Sequence, residues 1–245
     1  MPAIAHSTHG RPSAQAPLLL THGFGASRAM WTPNLDALGT DRQVVTWDLP
    51  GHGARSGPDG FSHDECVADM LWLLDALGAT RAVIGGMSLG GYLSLLFCVR
   101  HPERVAALLL VDTGPGFRDD AARDGWNTRA RGLADEFEAR GLATLGSSAE
   151  TVGVEHAAGA VGLAAAARAI LTQRDGEVLE SLGAIAVPTL IIVGEHDDRF
   201  LAAAQMMAAR IPDAREVIIK DAGHAANMDQ PAQFNLAVRE FLEGL

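Results

Sequence analysis

Six short apolar runs alternate with segments of helical periodicity along this chain of 245 residues. The runs cover residues 18–21, 44–47, 82–84, 105–111, 189–193 and 216–219. Runs without polar alternation are typical of strands buried on both faces, and the helical segments between them provide the crossover connections that parallel strands need. The pattern therefore predicts an α/β fold, in which a mostly parallel sheet is covered by helices on both faces.

The alternation is interrupted between residues 114 and 186. This stretch is rich in Ala, Gly, Arg and Glu, and it shows helical spacing but no convincing strand pattern. A disordered linker is the alternative, which the content of Leu, Ala and aromatic residues disfavours. We therefore predict that residues 1–113 and 187–245 form an α/β core, and that residues 114–186 form a small helical cap inserted in the same domain.

The composition restricts the partners of the chain. Its formal net charge of −11 repels nucleic acids and anionic membranes. No apolar run approaches the roughly 20 residues of a membrane-spanning helix, and the N-terminal residues lack the apolar segment of a secretory signal. We expect a cytoplasmic monomer or homodimer that binds neither nucleic acid nor membrane, with Cys66 and Cys98 reduced.

The segment Gly86-Met87-Ser88-Leu89-Gly90 follows the third apolar run and precedes a helical pattern. A G-x-S-x-G sequence between a strand and a helix is typical of a nucleophile elbow, in which a strained turn exposes the serine hydroxyl. The helix that follows directs its free N–H groups and the positive end of its dipole toward the same place. We therefore predict that Ser88 is a nucleophile.

A nucleophilic serine requires a base to accept its proton and a third group to orient that base. Asp197 lies in the loop after the run 189–193, and His224 lies in the loop after the run 216–219. Because the carboxyl ends of parallel strands share one edge of the sheet, these loops meet where α/β proteins place their functional groups. We predict His224 as the base and Asp197 as the orienting acid, with Asp198 and Asp112 as the alternatives for the acid.

Two further segments make the chain resemble the serine α/β-hydrolases of the small-cap type, which include esterases, enol-lactonases and hydrolases related to menaquinone synthesis. These segments are His22-Gly23-Phe24-Gly25 and residues 48–56. The resemblance implies an α/β-hydrolase fold with the cap inserted after the sixth strand. It also implies an oxyanion hole made by the backbone N–H groups of Phe24 and Leu89, with no metal or cofactor. The short segment before residue 18 leaves open whether the sheet keeps its first edge strand.

These features predict a serine hydrolase that cleaves a carboxylic ester, thioester or lactone of a small-molecule substrate through an acyl-enzyme intermediate. Apolar side chains form the predicted substrate pocket: Met30, Trp31, Met87, Trp126, Phe137 and Met228. Three arginines of the cap are candidates for binding a substrate carboxylate, although a solvated helix face is the alternative: Arg118, Arg123 and Arg129.

Alternative functions use the same residues, because a fold does not determine its chemistry. A carbon–carbon bond hydrolase or a menaquinone-synthesis-type lyase would act on vinylogous diketones or on a cyclohexene substrate. An acyltransferase or perhydrolase would pass the acyl group to an alcohol or a peroxide. A weakly catalytic small-ligand receptor would be acylated slowly and would turn over little substrate.

Overall fold

The computed structural model describes residues 4–56 and 61–245. Its centre is a sheet of seven strands in the order β1-β3-β2-β4-β5-β6-β7. β1 is antiparallel to β3, and the other neighbouring strands are parallel. The strands are β1 (His6–His9), β2 (Leu18–Thr21), β3 (Val44–Trp47), β4 (Ala82–Met87), β5 (Val105–Val111), β6 (Thr189–Gly194) and β7 (Ala214–Ile219). The prediction of a mostly parallel α/β sheet is confirmed.

The sheet has an antiparallel edge strand that the apolar pattern did not indicate. In β1, His6 lies opposite Trp47 and His9 lies opposite Val44 of β3. Only one strand precedes β2, so the helical insertion follows β5, the fifth strand of the described sheet. The expectation of an insertion after the sixth strand is therefore wrong for this chain.

Nine α-helices connect the strands within the described residues. They are α1 (Thr32–Leu38), α2 (His63–Ala76), α3 (Leu89–Arg100), α4 (Asp120–Arg140), α5 (Gly159–Ala169), α6 (Glu177–Ser181), α7 (Leu201–Arg210), α8 (Ala226–Asp229) and α9 (Pro231–Glu243). Ser62 caps α2 by accepting a hydrogen bond from the Glu65 N–H, which satisfies one of the free donors of the first turn. Pro231 begins α9, where its missing N–H costs nothing.

The core lies on both faces of the sheet because successive strand residues point to opposite sides. On β2, Leu19 packs into the cluster that contains the buried face of α2 and α3, whereas Leu18 and Leu20 pack into the cluster that contains Trp31 and Phe234. Both faces are therefore covered by helices, as a buried parallel sheet requires.

Residues 114–186 contain helices and no strand in the structure. Phe137 of α4 packs with Leu163 and Ala167 of α5 in a small apolar cluster. This segment touches the core through a hydrogen bond from the Ala157 N–H to the Gly53 carbonyl, at 2.8 Å. The division at residues 113/114 and 186/187 stays a prediction, and residues 1–3 and 57–60 of the predicted core lie outside the described residues.

Cys66 and Cys98 are buried and free; their reduced state stays a prediction. Within residues 4–56 and 61–245, none of the helices has the length and apolar character that crossing a membrane requires.

The turn between β4 and α3 leaves no room for a side chain at Gly90. A Cβ atom there would lie 2.3 Å from the Thr21 carbonyl oxygen, which is a backbone atom and cannot rotate away. We expect Gly90→Ala to lower the free energy of unfolding by about 3 kcal/mol. At Gly132 in α4 an added Cβ meets nothing within 4 Å, so Gly132→Ala should instead raise it by about 1 kcal/mol. Urea unfolding of both variants measures the contrast, and equal midpoints would contradict it.

Candidate active site

Ser88 lies at the turn between β4 and α3, in a conformation that residues other than glycine rarely adopt. Its φ is 52° and its ψ is −114°, which carries a backbone strain of about 1–3 kcal/mol. Surrounding hydrogen bonds hold it there. The Ser88 N–H donates to the Val111 carbonyl at 2.9 Å, and the Ser88 carbonyl accepts from the Thr113 hydroxyl at 2.6 Å. The turn thus presents a half-buried serine hydroxyl at the carboxyl end of the central strand.

Asp197 and His224 form a close side-chain pair. His224 Nδ1 lies 2.7 Å from Asp197 Oδ2, and the Asp197 side chain is only 5% exposed. Because the carboxylate accepts, Nδ1 carries the proton of a neutral imidazole, and Nε2 keeps a free lone pair. Asp198 is exposed, so this geometry favours Asp197 over Asp198 as the group that orients His224.

Ser88, Asp197 and His224 follow β4, β6 and β7, so they lie at the same edge of the parallel sheet. The ring of Phe200 stacks on His224 at a centroid distance of 5.1 Å and an angle of 15°. Among the described side chains, no hydrogen bond joins the Ser88 hydroxyl to His224. Hydrogen bonds between a serine nucleophile and its base are often long in unliganded enzymes and shorten when substrate binds.

Asp112 connects the two loops that carry Asp197 and His224. Its side chain is fully buried and its φ is 45°. Oδ1 accepts from the Gly194 N–H at 2.8 Å, and Oδ2 accepts from the Ala226 N–H at 3.0 Å. Since Gly194 begins the loop of Asp197 and Ala226 follows the loop of His224, one carboxylate fixes both loops. From the sequence, Asp112 is either an alternative acid or a group that satisfies loop backbone, and its two hydrogen bonds agree with the second interpretation.

Asp112 makes the stability of the protein depend on pH. Burial raises its pKa to about 7 from the ordinary 3.8, although the two backbone N–H groups oppose this shift. Between about pH 4 and pH 7 the folded protein therefore holds a proton that the unfolded chain releases. The stabilisation from this proton is complete below about pH 4 and is lost as the pH rises through about 7.

We expect Asp112→Asn, which has the shape of the carboxyl and does not titrate, to remove this dependence. The variant keeps only one of the two backbone hydrogen bonds, because its amide nitrogen cannot accept, and this loss is the same at every pH. The quantity to follow is the free energy of unfolding of the wild type minus that of Asp112→Asn. This difference should fall by up to about 4 kcal/mol between about pH 4 and pH 8. Urea unfolding at several pH values measures it. A difference that does not change with pH would contradict the raised pKa.

Two backbone N–H groups beside Ser88 have no protein acceptor among the described residues: those of Phe24 and Leu89. Leu89 begins α3, so its N–H lies at the positive end of the helix dipole. Phe24 lies in the loop after β2, where His22 donates from Nδ1 to the Gly23 carbonyl and accepts the Leu49 N–H at Nε2. Both N–H groups are available to a ligand oxygen at this edge of the sheet.

The histidines under this loop are structural in character. Burial lowers the pKa of His22 to about 4, and it lowers the pKa of His52 well below its usual range. Both rings therefore stay neutral. His22 uses both nitrogens in hydrogen bonds, and His52 donates from Nδ1 to the Pro50 carbonyl at 2.9 Å.

A cavity of about 170 Å³ opens beside Ser88 and Leu89, between the core and the cap. Of the six predicted pocket residues, Trp126 lines it. Trp31 and Met87 are buried in the apolar cluster on one face of the sheet. Met87 is the last residue of β4, and its side chain points to a face of the sheet and not along the strand axis. Phe137 packs inside the cap, and Met30 and Met228 line a different cleft.

The arginines of the cap do not line this cavity. Arg123 forms an ion pair with Asp120, and it donates to the Phe117 carbonyl at 3.2 Å. Arg118 and Arg129 are exposed. This placement agrees with the alternative that these charges belong to a solvated helix face.

One group of side chains in the described structure could hold a metal ion: Glu195, His196 and Asp221. Their ligand atoms lie within 4.8 Å of one another, and all three residues are exposed. These residues belong to the loops that follow β6 and β7, which also carry Asp197 and His224.

Comparison with known proteins agrees with this architecture. The model of the alpha/beta hydrolase family matches residues 18–237. A Bacillus subtilis (strain 168) protein, provisionally named 2-succinyl-6-hydroxy-2,4-cyclohexadiene-1-carboxylate synthase, is 31% identical over 96% of this chain and 93% of its own. The 3-oxoadipate enol-lactonase 1 of Acinetobacter baylyi is 28% identical over 91% of this chain and 87% of its own. A thermophilic esterase from Thermogutta terrifontis, solved with malate bound, is 29% identical with a TM-score of 0.81, over 98% and 93% of the two chains. The chain belongs to the alpha/beta hydrolase family.

Proposed function

We propose that this chain is a serine hydrolase that cleaves an ester, thioester or lactone bond of a small molecule. The observation that carries the proposal is the 2.7 Å contact between His224 and Asp197, at the same sheet edge as the strained Ser88. A serine in a strand-to-helix turn, a histidine with a free nitrogen and a buried carboxylate are the parts of a serine nucleophile with its base.

The reaction begins when Ser88 Oγ attacks the substrate carbonyl and its proton passes to His224 Nε2. The carbonyl becomes an oxyanion, which accepts hydrogen bonds from the N–H groups of Phe24 and Leu89; each such donor is worth about 2.7–4 kcal/mol of barrier. Collapse breaks the bond to the leaving group, which takes the proton from His224. The acyl group is now bound to Ser88.

A water molecule completes the cycle. His224 takes a proton from this water as the water attacks the acyl carbon, and the same N–H groups stabilise the second oxyanion. Collapse releases the acid and returns the proton to Ser88. Asp197 holds the Nδ1–H of His224 throughout and stabilises the ring while it is charged.

A second candidate function is elimination or carbon–carbon cleavage by the same three side chains. The observation that favours it is the 31% identity to a protein that bears a synthase name. Acyl transfer to an alcohol or peroxide and slow binding without turnover are the remaining alternatives. They differ from hydrolysis in the fate of the acyl group.

A panel of substrates distinguishes these functions. It contains p-nitrophenyl acetate, butyrate and octanoate, a thioester, an enol-lactone and a vinylogous diketone. We expect turnover of at least one ester, thioester or lactone, with free acid as the main product even when methanol is added. Turnover of the diketone alone would favour carbon–carbon cleavage. A methyl ester as main product would favour acyl transfer, and either result would contradict the proposal.

A further inference from the structure

The cavity beside Ser88 has the size of one ring. Its volume is about 170 Å³, and apolar protein cavities of roughly 150 Å³ hold a benzene molecule. Aromatic side chains form much of its wall: Phe117 and Trp126 lie 5.9 Å apart between ring centroids, and Phe200 lines the side next to His224. Such walls favour a flat apolar group.

Hydrogen bonds within the cap fix one wall of the cavity. Trp126 Nε1 donates to the Leu171 carbonyl at 2.7 Å, and Asn127 is joined to the Gln173 backbone at 2.7 and 2.8 Å. The Gln173 side-chain oxygen accepts the Phe117 N–H at 3.2 Å. These hydrogen bonds make the wall rigid. Because the polar groups that form them already have partners, the wall is apolar in character toward a ligand.

Tyr92 is the phenol-bearing residue of the wall. It is the only tyrosine of the chain, it lies one helical turn after Ser88 on α3, and it is only 8% exposed. Among the described residues its hydroxyl takes part in no hydrogen bond, although the residue lines the cavity. Burial raises the pKa of Tyr92 to about 12, so the phenol stays protonated and can donate.

The cavity provides no partner for a charge in its interior. Arg199 is the one charged residue in its described lining, and it is exposed, so it lies where the cavity meets solvent. The charges that act on the Tyr92 hydroxyl from outside the lining are of both signs, those of Asp175 and Glu177 and those of Arg100 and Arg174. A carboxylate deeper in the cavity would therefore lose its hydration without gaining a net positive partner, which is costly. The lining therefore discriminates against a carboxylate at the far end of the ligand.

We propose that this cavity binds one uncharged six-membered ring of the substrate and that Tyr92 donates a hydrogen bond to an oxygen on the ring. The orientation of the ligand rests on the proposed function, because its ester carbonyl has to reach Ser88. Tyr92 is thereby a specificity-determining residue, whereas Ser88 and His224 perform the chemistry.

Binding to Ser88→Ala tests the proposal without turnover. The matched probes are methyl 4-hydroxybenzoate and methyl 4-methylbenzoate, which have the same shape and differ in one hydroxyl. We expect the hydroxyl compound to bind about 2- to 10-fold more tightly, as one net hydrogen bond provides. In Ser88→Ala/Tyr92→Phe this preference should vanish, while the methyl compound binds as before.

Two outcomes would overturn the proposal. One is equal affinity for both probes, or a preference that persists in Ser88→Ala/Tyr92→Phe. The other is tighter binding of monomethyl terephthalate, whose carboxylate replaces the hydroxyl, than of either neutral probe. Calorimetry measures the affinities. Since the chain has one tyrosine, 3-fluorotyrosine labelling adds a single fluorine resonance, which must shift when methyl 4-hydroxybenzoate binds.

These results are separable from the proposed function. If the hydroxyl preference is found but the wild type hydrolyses no ester, thioester or lactone, the proposed reaction fails while the ring site stands. If the wild type hydrolyses esters but Ser88→Ala shows no hydroxyl preference, the reaction stands and the ring site fails.

Discussion

Ser88→Ala is expected to lower kcat for ester hydrolysis by about 10⁵- to 10⁶-fold, because this substitution removes the atom that carries the acyl group. The rate of the variant should still exceed the uncatalysed rate in water, because the oxyanion donors and substrate binding are retained. KM should change little, since the hydroxyl makes its main contribution in the transition state. Steady-state kinetics with the best p-nitrophenyl ester measures both constants.

Ser94→Ala is the matched control for this loss. Ser94 lies on α3, the helix that follows Ser88; it is fully buried and donates only to the Gly90 carbonyl at 2.8 Å. It does not line the cavity, so its replacement should leave kcat within a few-fold of the wild type. Activity that persists in Ser88→Ala, or an equal loss in both variants, would show that Ser88 is not the nucleophile.

Asp197→Asn is expected to lower kcat by about 10⁴-fold with little change in the fold. The amide that replaces the carboxylate can donate a proton to His224 Nδ1, which moves the ring proton to Nε2. A protonated Nε2 cannot accept the proton of Ser88. The shape of the side chain is retained, so circular dichroism should match the wild type while kcat falls.

Asp198→Asn is the natural comparison, because it makes the same chemical change one residue further on. Asp198 is exposed, whereas the Asp197 side chain is buried against His224. We expect Asp198→Asn to retain kcat within a few-fold. A larger loss in Asp198→Asn than in Asp197→Asn would assign the orienting acid to Asp198.

The parallel strands could be predicted because burial on both faces leaves a local pattern. Residues 105–111 form an almost unbroken apolar run, and the structure has a buried strand there. β1 left no such pattern: His6–His9 is a mostly exposed edge strand of polar residues, and its pairing with β3 is a tertiary contact. The predicted position of the insertion was wrong for the same reason. That position is counted in strands, and an edge strand of polar residues leaves no apolar pattern from which to count it.

The site could be predicted where the chemistry depends on a short motif at a strand end. The structure brings Ser88, Asp197 and His224 to one edge of the sheet, and their roles stay proposals. The cavity could not be predicted in this way, because its wall combines α3 with the cap and the loop of Phe200. Met87 illustrates the difficulty, since it adjoins Ser88 in sequence but faces the buried core.

Asp112 shows a different limit of sequence reasoning. Its position at the end of β5 suggested an alternative acid or a group that satisfies loop backbone. The contacts that define it reach Gly194 and Ala226, which are 82 and 114 residues away along the chain. No local pattern contains such contacts, so a residue that fixes two loops becomes recognisable only in the folded structure.

The covalent acyl group on Ser88 is the central claim, and rapid mixing of the wild type with p-nitrophenyl butyrate tests it directly. We expect a burst of nitrophenolate equal to the enzyme concentration. After an acid quench, mass spectrometry should find one butyryl group on the peptide that contains Ser88. A burst without an adduct, or an adduct on another residue while Ser88 stays unmodified, would contradict the account.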